Sequence, residues 1–407
     1  MKELVVPFRG ERYRDSERLS RLIAPPYDVI DPAARARFAA LDEHNIVHLL
    51  LPEAAPTADR YAWAGEQLPA WRRSGVLVRD TEPAVYVMAQ GARLGVFVAL
   101  AAEGYEPRRV RPHEKTHPGP KADRLALLRA TRTNLETIFL LAPDRDRALE
   151  QALAVVAQRS PDATAELDGV GIRLWGVRAG GGDLSRFPLP SSPLYIADGH
   201  HRYETACAYA GENPAADRVL AFVVSAADPG LVVLPTHRLI YGSGRRPDAM
   251  LALWRPWFDV ARVPAGVDPV AHLAELGRDR TACLVASPDG AVLGLALKPD
   301  ARLEEVPPPD LGASAAVRAL DVARVEALVV KPILLADTST PTLRYTADPR
   351  EALASVRGGG ASAAVLLNPT RVEQVFAVAD AGDVMPPKST YFTPKVPSGL
   401  VLRPCEG

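Results

Sequence analysis

The chain has 407 residues, too many for one ordinary core, with 47% hydrophobic and 24% charged residues, which describes a folded, multi-domain chain and not a disordered one. Lys and Arg total 48 against 49 Asp and Glu, a net charge of -1, so the broad basic surface of a sequence-independent nucleic-acid binder is missing and a small-molecule partner is favoured. Three widely spaced cysteines, Cys207, Cys283 and Cys405, exclude a disulfide framework and offer no metal-ligand spacing.

In chain order, Ile46 to Leu51 reads as a buried strand, Thr57 to Arg73 as an amphipathic helix closed by Gly75, and Pro83 to Ala101 as a hairpin turning at Gln90 to Arg93. A helix over Asp123 to Thr131, a strand over Thr137 to Ala142 and a helix over Arg145 to Gln158 come next. Gly180 to Gly182 reads as a loop tip, and Leu194 to Ala197 as a short buried strand. Val219 to Val224 and Leu231 to Leu234 are two more strands, and Gly242 to Pro247 is the best linker. Strand and helix patterns then alternate over Cys283 to Ala286, Ala291 to Leu297, Pro349 to Val356 and Ala363 to Leu367, before a helix to Ala379 that Thr370 caps and Gly382 ends, and a loop-like tail from Met385 to Leu402. The expected organisation is an α/β segment over 1–105, a core over 106–245 and a second α/β domain over 246–407. The first ten residues lack a long apolar core, and no apolar stretch approaches the roughly 20 residues of a membrane helix, so neither secretion nor membrane insertion is expected and a cytoplasmic location is.

The densest chemistry is D-G-H-H-R-Y-E-T-A, Asp198 to Ala206. It stands between a strand and a helix. Gly199 lets the chain turn sharply, and the free N–H groups of the helix after it favour an anion, with Arg202 beside them. The plainer reading is a helix start capped by Asp198, with His200 and His201 merely exposed. Upstream, V-R-P-H-E-K-T places Glu114 between His113 and Lys115 on a proline-stiffened segment, the setting a general base requires, or else forms a charged surface loop. In A-P-P-Y-D the prolines fix an extended segment and let Tyr27 and Asp28 face a ligand. In L-P-T-H-R-L, His237 and Arg238 are either ligand contacts or residues satisfied at a strand end. In the tail M-P-P-K-S-T-Y-F-T-P-K, Lys388, Ser389, Thr390 and Lys395 suit an anion, or the segment clamps the domains together. There is no G-x-x-x-x-G-K-[ST] loop, kinase Gly-rich loop, H-E-x-x-H or G-x-S-x-G, which disfavours the common nucleotide and hydrolase folds.

Taken together, P-P-Y-D-V-I, V-R-P-H-E-K-T, I-A-D-G-H-H-R-Y-E-T-A, L-P-T-H-R-L and M-P-P-K-S-T-Y-F-T-P-K resemble, over nearly the whole chain, a bacterial family known only as domain of unknown function 1015, whose members often sit beside serine-biosynthesis genes. The order P-H-E-K-T, helix, strand, D-G-H-H-R-Y-E more distantly resembles the ParB and sulfiredoxin superfamily, and within it the free serine kinases. That resemblance implies a ParB/sulfiredoxin-like α/β core with added N- and C-terminal α/β segments, ATP or another nucleotide as cofactor, Mg2+ held by Asp198, and a small hydroxyl metabolite such as serine as substrate. Glu114 would be the catalytic base, with Asp198 and His200 assisting. Gly199, His200, His201 and Arg202 would form the phosphate cradle. The residues themselves add Thr205 and Lys388 as expected nucleotide contacts, and His113, Lys115, Thr116, Tyr27, Asp28, His237 and Arg238 as expected substrate contacts. The sequence departs from the compact kinases in placing 84 positions between Glu114 and Asp198, the extra length lying around Arg145 to Gly182 as an insertion outside the core. The same site run toward water would be a phosphoserine phosphatase or nucleotide hydrolase; a nucleotide-gated, ParB-like DNA-binding regulator would need a helix-turn-helix, which is not apparent. Nothing decides between a monomer and a homodimer.

Overall fold

The longest apolar runs become the middle of a sheet. In the computed structural model, which describes residues 2–53, 59–178, 184–244, 247–306, 312–335 and 340–406, two compact units are formed: Met1–Val232 together with Pro394–Gly407, and Val233–Thr393. The Gly180 to Gly182 tip lies outside the described residues.

In the first unit a nine-stranded mixed sheet is built from β1 (Val5–Val6), β2 (Ala84–Gln90), β3 (Arg93–Ala101), β4 (Val110–Arg111), β5 (Ile138–Ala142), β6 (Ala163–Leu167), β7 (Val170–Arg178), β8 (Leu194–Asp198) and β9 (Arg218–Ser225). Their order is β4-β8-β5-β9-β3-β2-β7-β6, with β1 added to β3. Strands β2, β5 and β9 are buried almost from end to end, as strands covered on both faces must be. The sheet takes strands from both sides of position 105, so the segment over 1–105 and the expected core over 106–245 share one hydrophobic interior.

Helices of this unit include α1 (Val47–Leu50), α2 (Arg60–Arg73), α3 (Pro118–Thr131) and α4 (Ala148–Val156), and α5 (His200–Glu212) carries the D-G-H-H-R motif. The run Ile46 to Leu51, expected as a strand, is helical at α1. A short, mostly apolar run broken by His48 carries no clear period, and the Asn45 side chain decides the matter: its oxygen accepts the Val47 N–H at 2.9 Å while its amide donates to the Arg21 and Ile23 carbonyls. Helix α3 begins five residues earlier than expected because Pro118 and Pro120 stand in its first turn, where no intrahelical N–H is needed.

The segment around Arg145 to Gly182 is not an insertion outside the core. Strand β7 pairs with β2 over seven positions from Ile172↔Gln90 to Arg178↔Ala84, and Leu149, Leu153, Val156, Trp175 and Val177 belong to the main hydrophobic cluster. It extends the sheet at the edge away from β4 and leaves the β4–β8 pairing intact.

The second unit holds a six-stranded antiparallel sheet of β10 (His237–Tyr241), β11 (Phe258–Arg262), β12 (Ala282–Ala286), β13 (Val292–Leu297), β14 (Thr342–Thr346) and β15 (Ala363–Leu367), ordered β11-β13-β12-β15-β10-β14. Helix α6 (Pro349–Arg357) packs Ala352, Leu353 and Val356 into its core. Helix α7 (Val372–Asp380) starts one residue later than a Thr370 cap requires, with Arg371 at the N-cap. Among the described residues no helix is long and apolar enough to cross a membrane.

Candidate functional site

The 84 positions between Glu114 and Asp198 are closed by strand register. Strands β4 and β8 run parallel with Leu194 opposite Val110 and Tyr195 opposite Arg111, a pairing that carries that same offset of 84. Glu114 and Asp198 therefore leave the sheet at one level, at the carboxyl end of two adjacent parallel strands, where α/β sheets open a crevice for ligands.

Gly199 makes the turn from β8 into α5. Its φ of 91° lies in the left-handed region, and a Cβ there would stand 3.1 Å from the Cζ and Nε of Arg202. The guanidinium folds back over this glycine: Nη2 donates to Asp198 Oδ2 at 2.5 Å and Nη1 to the Thr137 carbonyl at the start of β5. We expect Gly199→Ala to cost about 1–2 kcal/mol for the left-handed backbone alone, and more because Arg202 must move; urea unfolding against wild type measures it, and a loss below ~0.5 kcal/mol would show that the turn tolerates a side chain.

Two buried histidines stand behind Glu114. His113 Nδ1 donates to the Ile196 carbonyl at 2.8 Å, and the His113 backbone N–H donates to His200 Nε2 at 3.3 Å, with the rings edge to face at 4.7 Å. Those bonds put the His200 proton on Nδ1, which faces Glu114 Oε2 at 4.0 Å. Burial pushes His113 down to about 4 and His200 well below its ordinary 6.5, so both rings are neutral near pH 7. The Glu114 side chain is 34% exposed, enough to reach a ligand.

The His113 shift has a pH signature. Between pH 6.5 and 4 the unfolded chain binds a proton at this residue that the folded chain does not, so its stabilising contribution is complete above pH 6.5 and falls as pH drops toward 4, by about 3 kcal/mol in all. Chemical denaturation at pH 7 and pH 4.5 should show a smaller loss for His113→Asn than for wild type. Equal losses would place the acid sensitivity elsewhere.

Asp198 is the electrostatic centre. Burial alone would raise its carboxyl, but Lys395, whose Nζ donates to Oδ1 at 2.7 Å, and Arg202 hold it well below the usual carboxylate range. Asp28 is exposed, and desolvation together with the Asp198 charge pushes its carboxyl up. The P-P-Y-D segment is fixed by the Tyr27 N–H, which donates to Glu136 Oε1 at 2.9 Å, and by the Arg124 guanidinium, which lies 4.2 Å over the Tyr27 ring and donates to Glu136 Oε2. Burial, with the nearby Glu136 and Asp28 charges, pushes the Tyr27 hydroxyl up to about 12. Arg124, Glu136, Arg202 and Thr205 line a small cavity of about 50 Å3, and among the described residues the buried Thr205 hydroxyl has no hydrogen-bond partner.

Several expected ligand contacts are engaged within the fold. The Thr116 hydroxyl donates to Glu204 at 2.6 Å and Lys121 pairs with the same carboxylate, fastening the P-H-E-K-T segment to α5. His201 Nε2 accepts the His117 N–H at 2.8 Å. Lys115 is exposed. His237, Arg238 and Lys388 belong to the second unit. His237 and Arg238 are buried in β10: His237 Nδ1 accepts the Leu367 N–H, and Arg238 pairs with Glu326 and donates to the Thr236 carbonyl, so both serve that unit's interior instead of an open ligand face. Lys388 is exposed with a φ of 55°.

The donors do not fit the expected Mg2+ ligand. Both Asp198 oxygens are held by cations, and no group of three His, Cys, Asp or Glu side chains among the described residues could hold a metal.

Glu136 and Arg124 carried no motif that sequence reading could use. Lys395 did, since it ends the same tail motif as Lys388, but only the path of the chain separates the two. Pro394 to Gly407 rejoins the first unit, where Ser398 pairs with Ala24, Leu402 with Glu11, and Arg403 with Asn134.

Residues 5–323 match the sequence family described as a protein of unknown function, DUF1015. The chain belongs to this family. No curated protein matches it. Among solved structures, this DUF1015 protein is similar to a conserved hypothetical protein from Pyrococcus furiosus (14% identity, 75% of this chain and 93% of that one, TM-score 0.37), a free serine kinase in complex with AMP (12%, 75% and 90%, 0.37) and SbnI with a C-terminal truncation from Staphylococcus aureus (11%, 76% and 87%, 0.39).

Proposed function

We propose that the first unit is a nucleotide-dependent phosphotransferase acting on a small hydroxyl metabolite, serine or a relative. The observation that carries this reading is the register of β4 on β8, which puts a solvent-accessible carboxylate, Glu114, beside a glycine turn that opens a 13-residue helix. The amides of the first turn of α5 supply fixed positive dipoles for phosphate oxygens, and Arg202 and Lys395 add charge close by. Glu114 accepts the hydroxyl proton, the oxygen bonds to the terminal phosphorus, and the bond to the departing diphosphate breaks. The neutral His200, with Nδ1–H toward Glu114, orients that carboxylate. Asp198 organises the cations and is not a metal ligand. Positioning and charge stabilisation supply most of the catalysis in such reactions.

Thermal unfolding in the presence of ATP, ADP, CTP, pyrophosphate, serine and phosphoserine tests the binding half of this reading. A ligand at 100 times its Kd raises stability by about 2.7 kcal/mol. At least one nucleotide should raise the midpoint, and no response to any phosphate-bearing ligand would overturn the proposal.

A further inference from the structure

Two cations hold Asp198, and they are built differently. Arg202 is tied at both ends of its fork, to Asp198 and to the Thr137 carbonyl, and lies over Gly199. Lys395 arrives on a separate stretch of chain. Its backbone is anchored: Gln90 Nε2 donates to the Lys395 carbonyl at 2.9 Å, and Gln90 Oε1 accepts from Arg93, a fully buried guanidinium lying 4.8 Å over the Phe139 ring. Three residues on, Ser398 exchanges two backbone hydrogen bonds with Ala24, ahead of Tyr27 and Asp28. The Lys395 ammonium stands at the end of a four-carbon stem, a compact charge that suits a phosphate as well as a carboxylate.

We propose that Lys395 is the exchangeable cation of this site: it neutralises Asp198 in the ligand-free chain and moves to a terminal phosphate group when a phosphate-bearing nucleotide binds. The proposal rests on the phosphotransferase reading and adds to it a binding residue from the far end of the chain. Asp198 tolerates the exchange because Arg202 stays in place. The nearby Asp28, open to solvent and carrying a raised carboxyl, takes up a proton more readily than Asp198 and limits the negative charge that the arriving phosphate meets.

Calorimetric titration of the full chain with ATP and with pyrophosphate separates the outcomes. Lys395→Met should weaken ATP binding at least tenfold, and Lys395→Arg should recover part of the loss. Asp198→Asn, which removes the carboxylate that competes for Lys395, should bind ATP more tightly than wild type, and it keeps the test informative if Lys395→Met fails to fold. Wild-type affinity in a folded Lys395→Met, or weaker binding by a folded Asp198→Asn, would overturn the exchange while leaving the phosphotransferase reading in place. Failure of wild type to bind either ligand would instead remove that reading, and the exchange with it.

Discussion

Glu114→Gln is expected to keep nucleotide binding and to lose turnover by about 10²–10⁴-fold, the usual contribution of a positioned base. The amide has the same size and sits on the same proline-stiffened segment, held to α5 by the Thr116 and Lys121 bonds to Glu204. Folding and binding should therefore change little. The His200 Nδ1–H still faces the amide oxygen as it faced the carboxylate, at 4.0 Å, while the side chain's ability to take a proton is gone. Nucleotide titration and steady-state rates on the same preparation check this. Turnover near wild type would remove Glu114 from the chemistry, and loss of binding along with turnover would make it a ligand contact instead.

The largest expected effect on stability is that of Arg202→Met. The methionine fills much of the same space but leaves the Thr137 carbonyl without its donor and Asp198 with Lys395 as its remaining cation here. Breaking a buried ion pair from one side costs about 3–5 kcal/mol, mainly because the other charge stays buried. Urea unfolding should show that loss, and Arg202→Lys should recover only part of it, since an ammonium cannot span both acceptors as the planar fork does. A loss under ~1 kcal/mol would mean that the turn is held by Gly199 and the strand pairing alone.

What could be read from the sequence was what is local. The strand, glycine and helix of I-A-D-G-H-H-R, and the hairpin from Ala84 to Ala101, depend on neighbours a few residues away, and the α/β class comes from their alternation. Helix α1 was hidden because Asn45, just ahead of its N-cap, fixes the chain through bonds to Arg21 and Ile23. Strand β7 did show its alternation, with Ile172 and Leu174 buried and Arg173 exposed, but comparison with shorter kinases made it look like an insertion. Arg202 was legible as a cation beside the turn, but not that a guanidinium one turn from Gly199 folds back over it. Tertiary path alone sends Lys395 to Asp198 and leaves Lys388 in the other unit.

Phosphorus NMR of the wild-type protein with ATP and serine tests the central claim most directly. The account predicts a growing phosphomonoester signal matched by ADP, absent without serine and nearly absent in Glu114→Gln. ATP left unchanged in the presence of serine and other small hydroxyl compounds, or converted only to inorganic phosphate, would contradict it.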